Sequence, residues 1–311
     1  VVDSPLIPII CGPTAAGKTG VAVALAEEFA LELISADSRQ MIRHLDIGTA
    51  KPTAAERAAL PMHLIDIIEP GERYSAFRFI DDANRLIGEI LKRGRLPIIV
   101  GGTGLYLRAL TEGVVEIEQP DMELREDLER QIAEGHADEL YKKLSEVDPL
   151  EASRIHPNNH VRLVRALEIY YVTGLSKSEL IATGSYRRSQ YRYVLFCLMP
   201  PRQTLYEIIN QRVEAMLQAG LVAELEQLVR QGKREAIRKA NVIGYQEVLD
   251  YLENRVSLAE AVALIKQNSR RYAKRQMTWF RAQAALETAE SRAELTETLK
   301  VWLSVQAAPK K

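Results

Sequence analysis

Residues 12 to 19 read GPTAAGKT, a G-x-x-x-x-G-K-T spacing that ends on a lysine and a hydroxyl. Phosphate binding is the chemistry this spacing can do. The backbone N–H groups of a glycine-rich turn point at phosphate oxygens, and a following helix N-terminus adds positive potential. The lysine then reaches an outer phosphate and the hydroxyl ligates magnesium. The motif needs a strand before it and a helix after it. Here LIPIIC precedes it and VAVALAEEFA follows. Gly12, Pro13, Thr14, Ala15, Ala16, Gly17, Lys18 and Thr19 are therefore expected to cradle a diphosphate or nucleotide, with Mg2+ on Thr19.

The elements that must position this loop alternate along the N-terminal part. LELISAD reads as a second strand and HLIDII as a third. FRFIDDANRLIGEILKRG reads as an amphipathic helix, and RLPIIVGG as a further strand. Such β-α-β alternation implies a mostly parallel sheet with helices on both faces. The run from Leu96 to Val100 is apolar throughout, as a strand buried on both faces should be. In an open parallel sheet, ligands bind beyond the carboxyl ends of the strands. LELISAD delivers Asp37 there, followed by Ser38, Arg39 and Gln40. RLPIIV ends in GGTG with no acid, so Thr103 supplies the polar group at that tip. An Asp before Ser is also an ordinary turn residue, and only its position at the ligand edge favours a functional role.

The character changes near Pro120, where charged segments of helical period begin. YRYVLFCLMPP then reads as a strand again and long helices follow. The expected architecture is α/β: a P-loop-type parallel sheet flanked by helices, with an inserted all-helical domain at residues 119–190 and a helical C-terminus. Residues 1–118 and 191–311 would form the core.

The formal net charge is −1, so bulk charge announces no nucleic-acid partner and local clusters must carry that argument. The two cysteines, Cys11 and Cys197, lie in apolar runs and read as small buried strand residues. They form neither a disulfide framework nor a zinc spacing. With no long apolar span and no secretory pattern at the start, the expectation is a cytoplasmic protein away from membranes. His156 and His160 straddle Pro157 and read as loop residues, not metal ligands. The acidic stretch from Glu116 to Glu151 reads either as the solvated face of the insert's helices or as a surface that keeps RNA away.

Several blocks, in order, resemble the tRNA dimethylallyltransferases: GPTAAGKT, ADSRQ, LDIGTAKP, HLIDIIEPGERYSAFRF, VGGTGLYLRAL, RIHPNNHVRLVRALE, VIGYQE and RRYAKRQMTWFR. They run across nearly the whole chain. A P-loop alone is shared by many enzymes, but this ensemble is specific. The resemblance implies transfer of a dimethylallyl group from dimethylallyl diphosphate to the exocyclic amine (N6) of the adenine 3′-adjacent to the anticodon in tRNA. Pyrophosphate is the leaving group, so the P-loop would hold an allylic diphosphate. By resemblance, Asp37 orients the amine and takes its proton, and Arg212 reaches the same phosphates. Thr14 and Thr103 line the substrate channel, and Ser38, Arg39 and Gln40 hold the extruded base.

Residues 266–281, KQNSRRYAKRQMTWFR, carry six basic side chains and no acid, with Tyr272, Trp279 and Phe280 interleaved. Basic charge meets phosphate, while the aromatics stack bases or pack the core. With the resemblance, Arg270, Arg271, Lys274 and Arg275 are expected to contact the tRNA anticodon stem-loop. So are Arg125, Arg162 and Arg165 of the insert, and YRRSQYRY forms a further basic patch. Two positions depart from the family pattern. Ile42 stands where a tyrosine is usual, and Ile208 where an arginine is common. The alternatives are an adenylate isopentenyltransferase on free nucleotides, a P-loop small-molecule kinase, and a non-catalytic RNA-binding P-loop protein. A monomer is expected.

Overall fold

The structure is a computed structural model and describes residues 5–115, 121–283 and 286–307. In chain order, β1 (Leu6–Cys11) leads through the glycine loop into α1 (Lys18–Ala26), then β2 (Leu31–Ser35), α2 (Ala54–Ala59) and β3 (Met62–His63). Next come α3 (Ala76–Lys92), β4 (Leu96–Gly101) and α4 (Gly104–Glu112). A helical block follows: α5 (Met122–Ala133), α6 (Ala137–Val147), α7 (Pro149–Ala152), α8 (His160–Thr173) and α9 (Lys177–Ala182). The chain then forms β5 (Arg192–Leu198), α10 (Arg202–Gln218), α11 (Leu221–Arg230), α12 (Arg234–Ala240) and α13 (Tyr245–Leu252). It ends with α14 (Leu258–Arg281), β6 (Leu286–Ala289) and α15 (Arg292–Ala307).

All six strands form one parallel sheet in the order β3-β2-β4-β1-β5-β6. The register sets Cys11 beside both Gly101 and Cys197, and Ser35 beside Val100. The carboxyl ends of β1, β2, β4 and β5 therefore finish along one edge. The central strands are buried on both faces, which parallel strands covered by helices require. Val21, Ala22 and Leu25 of α1 pack with Ile10, Leu33, Ile98 and Phe196. Leu295, Leu299 and Leu303 of α15 close the same cluster. Both cysteines are fully buried, as their apolar runs imply. No helix among the described residues is long and apolar enough to cross a membrane.

Two elements differ from the sequence reading. HLIDII is not a full strand. β3 stops at His63 because Leu64 and Asp66 take positive φ of 60° and 59°, and Ile68 makes only an isolated bridge to Ile42. The C-terminal part is not wholly helical either, since β6 adds an edge strand beside β5. Its short LETA sequence, only its last residue buried, lacks the apolar run that marks the other strands.

The chain divides into two compact units, residues 1–111 with 189–311, and residues 112–188. The sequence-derived boundary at 118/119 lies outside the described residues, as do Glu116 and Pro120. The second unit has its own core of Leu128, Leu140, Leu144, Ile155, Leu163 and Leu167. Its acidic stretch is not uniformly solvated. Asp148 is buried and accepts hydrogen bonds from the backbone N–H groups of Glu151 and Ser178, each at 3.0 Å. Glu151 is buried against Lys177. These acids cap and tie short helices, work that needs a fixed acceptor. His160 opens α8 and is no longer a loop residue.

Candidate active site

The glycine loop forms because its residues tolerate what the turn demands. Gly12 has φ of 140°, and a Cβ there would stand 2.3 Å from the carbonyl oxygen of Leu198. Gly17 is left-handed at φ 95° and hands the chain to α1. Lys18 opens that helix and folds back, its Nζ donating to the Pro13 carbonyl at 2.9 Å. Crowding by burial lowers the Lys18 pKa to about 8. Asp37 pulls it back up, while Arg212 pushes it further down.

Asp37 stands two residues beyond the end of β2. Its Oδ1 accepts the Arg39 N–H at 2.9 Å, a short turn that fixes the carboxylate. The neighbouring loop is stitched to it. The Ser38 N–H donates to Thr103 Oγ1 at 3.0 Å, and the Thr103 N–H donates to the Ala36 carbonyl at 3.2 Å. Asp37 and Thr103, from separate strands, thus belong to one rigid corner beside Lys18.

Two helices close the loop from the other side. Leu205 and Ile209 of α10 pack with Ala273 and Met277 of α14, and Ala15 of the glycine loop packs against this cluster. That packing brings a half-buried arginine and a buried amide to Thr14. Arg212 donates from Nη2 to Thr14 Oγ1 at 2.8 Å, while its Nε is buried with no hydrogen-bond partner. Burial lowers the Arg212 pKa and Asp37 opposes the shift. Gln276 accepts the Thr14 N–H on Oε1 at 2.8 Å and donates from Nε2 to the Gly102 carbonyl at 2.8 Å. Gln276 was not singled out from the sequence. Its signal was available: an amide on the buried stripe of α14 that otherwise includes Ala261, Ile265, Ala273, Met277 and Phe280. Tyr106 and Tyr272 were missed as neighbours of the carboxylate. Burial and then the Arg39–Asp37 pair of charges acts on both, and each phenol is pushed up to about 12.

The remaining expected residues separate into groups. Gln40 is a brace: its Nε2 donates to the Ala50 carbonyl at 3.1 Å and its Oε1 accepts from Ser35 at 3.4 Å. Arg39 is exposed and donates to the Ala240 carbonyl at 3.0 Å. Arg270 donates to Asn210 at 2.6 Å. Arg271, Lys274 and Arg275 are exposed on the outer face of α14 and, with Thr278, line an open groove of about 390 Å³. The Arg275 guanidinium lies over the Tyr272 ring at 5.7 Å. In the helical unit, Arg125 pairs with Glu129 at 3.1 Å. Arg162 is exposed, while Arg165 pairs at 2.9 Å with the fully buried Glu168. Arg162 and Arg165 therefore have different surroundings despite their spacing. Ile42 is buried against Ile68, so this departure falls in the core.

The arrangement places two cations, Lys18 and Arg212, in a crowded polar cradle with a carboxylate on the adjoining loop. Like charges held together, and a buried donor left unpaired, are costly unless an acceptor arrives. A polyanion with several oxygens satisfies both. Among the described residues no cluster of three His, Cys, Asp or Glu gathers to hold a metal. A magnesium ion here would take the Thr19 hydroxyl as protein ligand, with diphosphate and water oxygens completing its shell. The oxygen chemistry of this position fits that role.

Comparison with known proteins bears on this geometry. Residues 40–283 match the family model described as IPP transferase, and residues 5–65 match one described as isopentenyl transferase. The chain is 44% identical over 297 residues to tRNA dimethylallyltransferase 1 of Syntrophotalea carbinolica, covering 96% of this chain and 95% of that protein. It is 44% identical to the tRNA dimethylallyltransferase of Thermotoga petrophila, covering 88% and 89%. Among solved structures, it is similar to the tRNA isopentenylpyrophosphate transferase of Bacillus halodurans at 40% identity and a TM-score of 0.69, covering 97% and 98%. A eukaryotic dimethylallyltransferase acting on tRNA gives 28% identity and a TM-score of 0.78, covering 97% of this chain and 78% of that one.

Proposed function

This chain belongs to the IPP transferase family, and from that premise we propose that it transfers a dimethylallyl group from dimethylallyl diphosphate to an adenine N6 in tRNA. The acceptor is the adenine 3′-adjacent to the anticodon, and pyrophosphate leaves. The observation that carries the reading is the anion cradle of Lys18, Arg212 and the glycine loop, set beside Asp37. An adenine amine is a weak nucleophile because its lone pair is delocalised into the ring. Its reaction needs orientation, a proton acceptor and a stabilised leaving group.

Each need has a residue. Lys18, the loop N–H groups and Arg212 hold the diphosphate and take up the charge that grows on its bridging oxygen as the allylic C–O bond breaks. Arg212 has a free buried Nε to offer in addition to the bond it already makes. The Asp37 carboxylate accepts the proton that the amine loses as the C–N bond forms. Thr103 holds the Asp37 loop through Ser38 and fixes where that carboxylate stands. Magnesium bound at Thr19 would add charge neutralisation on the leaving pyrophosphate. The exposed face of α14 offers phosphate contacts to the RNA.

A transfer assay tests this. Protein, magnesium and labelled dimethylallyl diphosphate are mixed with unmodified tRNA, with AMP, or with neither. Label in tRNA alone is expected. Label in AMP would move the protein to a free-nucleotide activity, and ATP consumption without transfer would make the cradle a nucleotide site.

A further inference from the structure

Gln276 bridges two loops that follow the paired strand ends Cys11 and Gly101. One is the diphosphate loop at Thr14; the other is the Gly102–Thr103 corner that holds the Asp37 loop. Its amide orientation is dictated by its partners, since an N–H donor faces one end and a carbonyl the other. The residue is 8% exposed, and its bond to the Gly102 carbonyl is buried while the one from Thr14 is partly so. Room for it exists because residue 102 is glycine: a Cβ there would stand 2.6 Å from Gln276 Nε2 and 2.9 Å from the Gly12 carbonyl oxygen. Ala273 and Met277, on the same face of α14, anchor the helix against Ala15.

We propose that Gln276 is the positioning residue that sets the separation between the diphosphate cradle and the Asp37–Thr103 corner. This rests on the transferase reading. The two substrates would meet between those loops, so their spacing decides how close the allylic carbon comes to the adenine amine. A primary amide accepts at one end and donates at the other, and it stays uncharged at every pH in the working range. A carboxylate in its place would accept from Thr14 but repel the Gly102 carbonyl, and would cancel positive charge beside Lys18. The charged groups beside the position are Lys18 from α1, next to Gly102, and Arg212 from α10, which shares Thr14 with Gln276; Asp37 acts on both. Tyr272 lies one helical turn away on α14 itself.

Gln276→Leu and Gln276→Glu are compared with the parent protein by transfer kinetics, pyrophosphate binding calorimetry and thermal melting, from pH 5.5 to 8.5. Loss of both hydrogen bonds in Gln276→Leu is expected to weaken donor binding roughly tenfold, the effect of about 1.4 kcal/mol. Its kcat falls as well, while the KM for tRNA stays near that of the parent. Gln276→Glu is isosteric. Its activity relative to the parent is expected to rise as pH falls, because a protonated carboxyl donates to the Gly102 carbonyl again. Parent-like donor KM and kcat in both folded variants would overturn the proposal. If Gln276→Leu does not fold, the pH profile of Gln276→Glu decides, and a flat ratio overturns it. A parent protein without transfer activity defeats the transferase reading instead. Pyrophosphate affinity then carries the test of Gln276 by the same criteria.

Discussion

Gln276 and Arg275 are neighbours in sequence and opposites in surroundings. Gln276 lies on the inner face of α14, with both ends of its amide fixed at 2.8 Å. Arg275 lies on the outer face, exposed with Arg271 and Lys274 along an open groove. The inner face resembles a protein interior, where a polar group is tolerated only with its partners in place and geometry is everything. On the proposed reading the outer face would act through long-range charge, which tolerates movement and is screened by salt. One helix thus ties a precision site to a surface that only needs to be positive. Substitutions on the inner side should change chemistry and donor binding, while those on the outer side should change RNA affinity and its response to salt.

The largest effect is expected at the corner that the inner face supports. Asp37→Ala should lower kcat by ~100-fold or more, the lower range for lost acid–base help, with tRNA affinity retained. Parent-like turnover would remove Asp37 from the chemistry. Next is Arg212→Lys, which keeps the charge but loses the forked geometry that reaches Thr14 and offers Nε. Its KM for dimethylallyl diphosphate should rise roughly tenfold or more, and an unchanged value would mean the buried guanidinium never meets phosphate.

The pH response is smaller at first and grows with alkalinity. Lys18 has a depressed pKa of about 8 in the free protein. Below that value it is charged and ready for the diphosphate. Above it, binding must recover a proton, so donor KM should rise by about tenfold per pH unit above 8 until the bound-state pKa is reached. Stability of the free protein runs the other way. The unfolded chain holds this proton more tightly, so the cost of burying the charged lysine is fully present below about pH 8 and is relieved progressively as pH rises from there to the ordinary lysine value of 10.5. Calorimetry in buffers of different ionisation heat would reveal proton uptake on binding above pH 8, and its absence would contradict the assignment. The smallest effect belongs to the outer face. Lys274→Gln should weaken tRNA binding a few-fold and reduce the log–log salt slope by roughly 0.9, with donor KM untouched. A shifted donor KM would erase the distinction between the two faces.

Much of this contrast was legible in the sequence. The GPTAAGKT spacing, the apolar runs of β1, β2 and β4 and the acid after LELIS place the glycine loop and Asp37 at one sheet edge, because parallel strands in register finish together. The helical insert was visible from a change of period. What was hidden is instructive. Strand β6 offers only LETA, too short and too polar for pattern reasoning. HLIDII has the composition of a strand, but left-handed residues at Leu64 and Asp66 end it, and composition does not encode that turn. Gln276 sits inside a run dominated by six cations, whose charge marks the outer face of α14 and says nothing of the inner one. Arg162 and Arg165 share a spacing, yet Arg165 is committed to Glu168, a partner whose burial only tertiary packing determines.

The base of the helical insert carries one further consequence. The Val114 N–H donates to the Arg187 carbonyl at 2.8 Å, and the Arg187 N–H returns a bond of the same length to Val114. A chain that leaves and comes back through such a doubled latch has settled its closure entropy at that point. To the sheet, everything between these two residues is equivalent to a hairpin turn. The length and identity of the excursion are then free variables. Helices can be exchanged, added or trimmed there without changing how β4 and β5 sit in the sheet, so the insert can diversify at a pace the sheet edge does not have to follow.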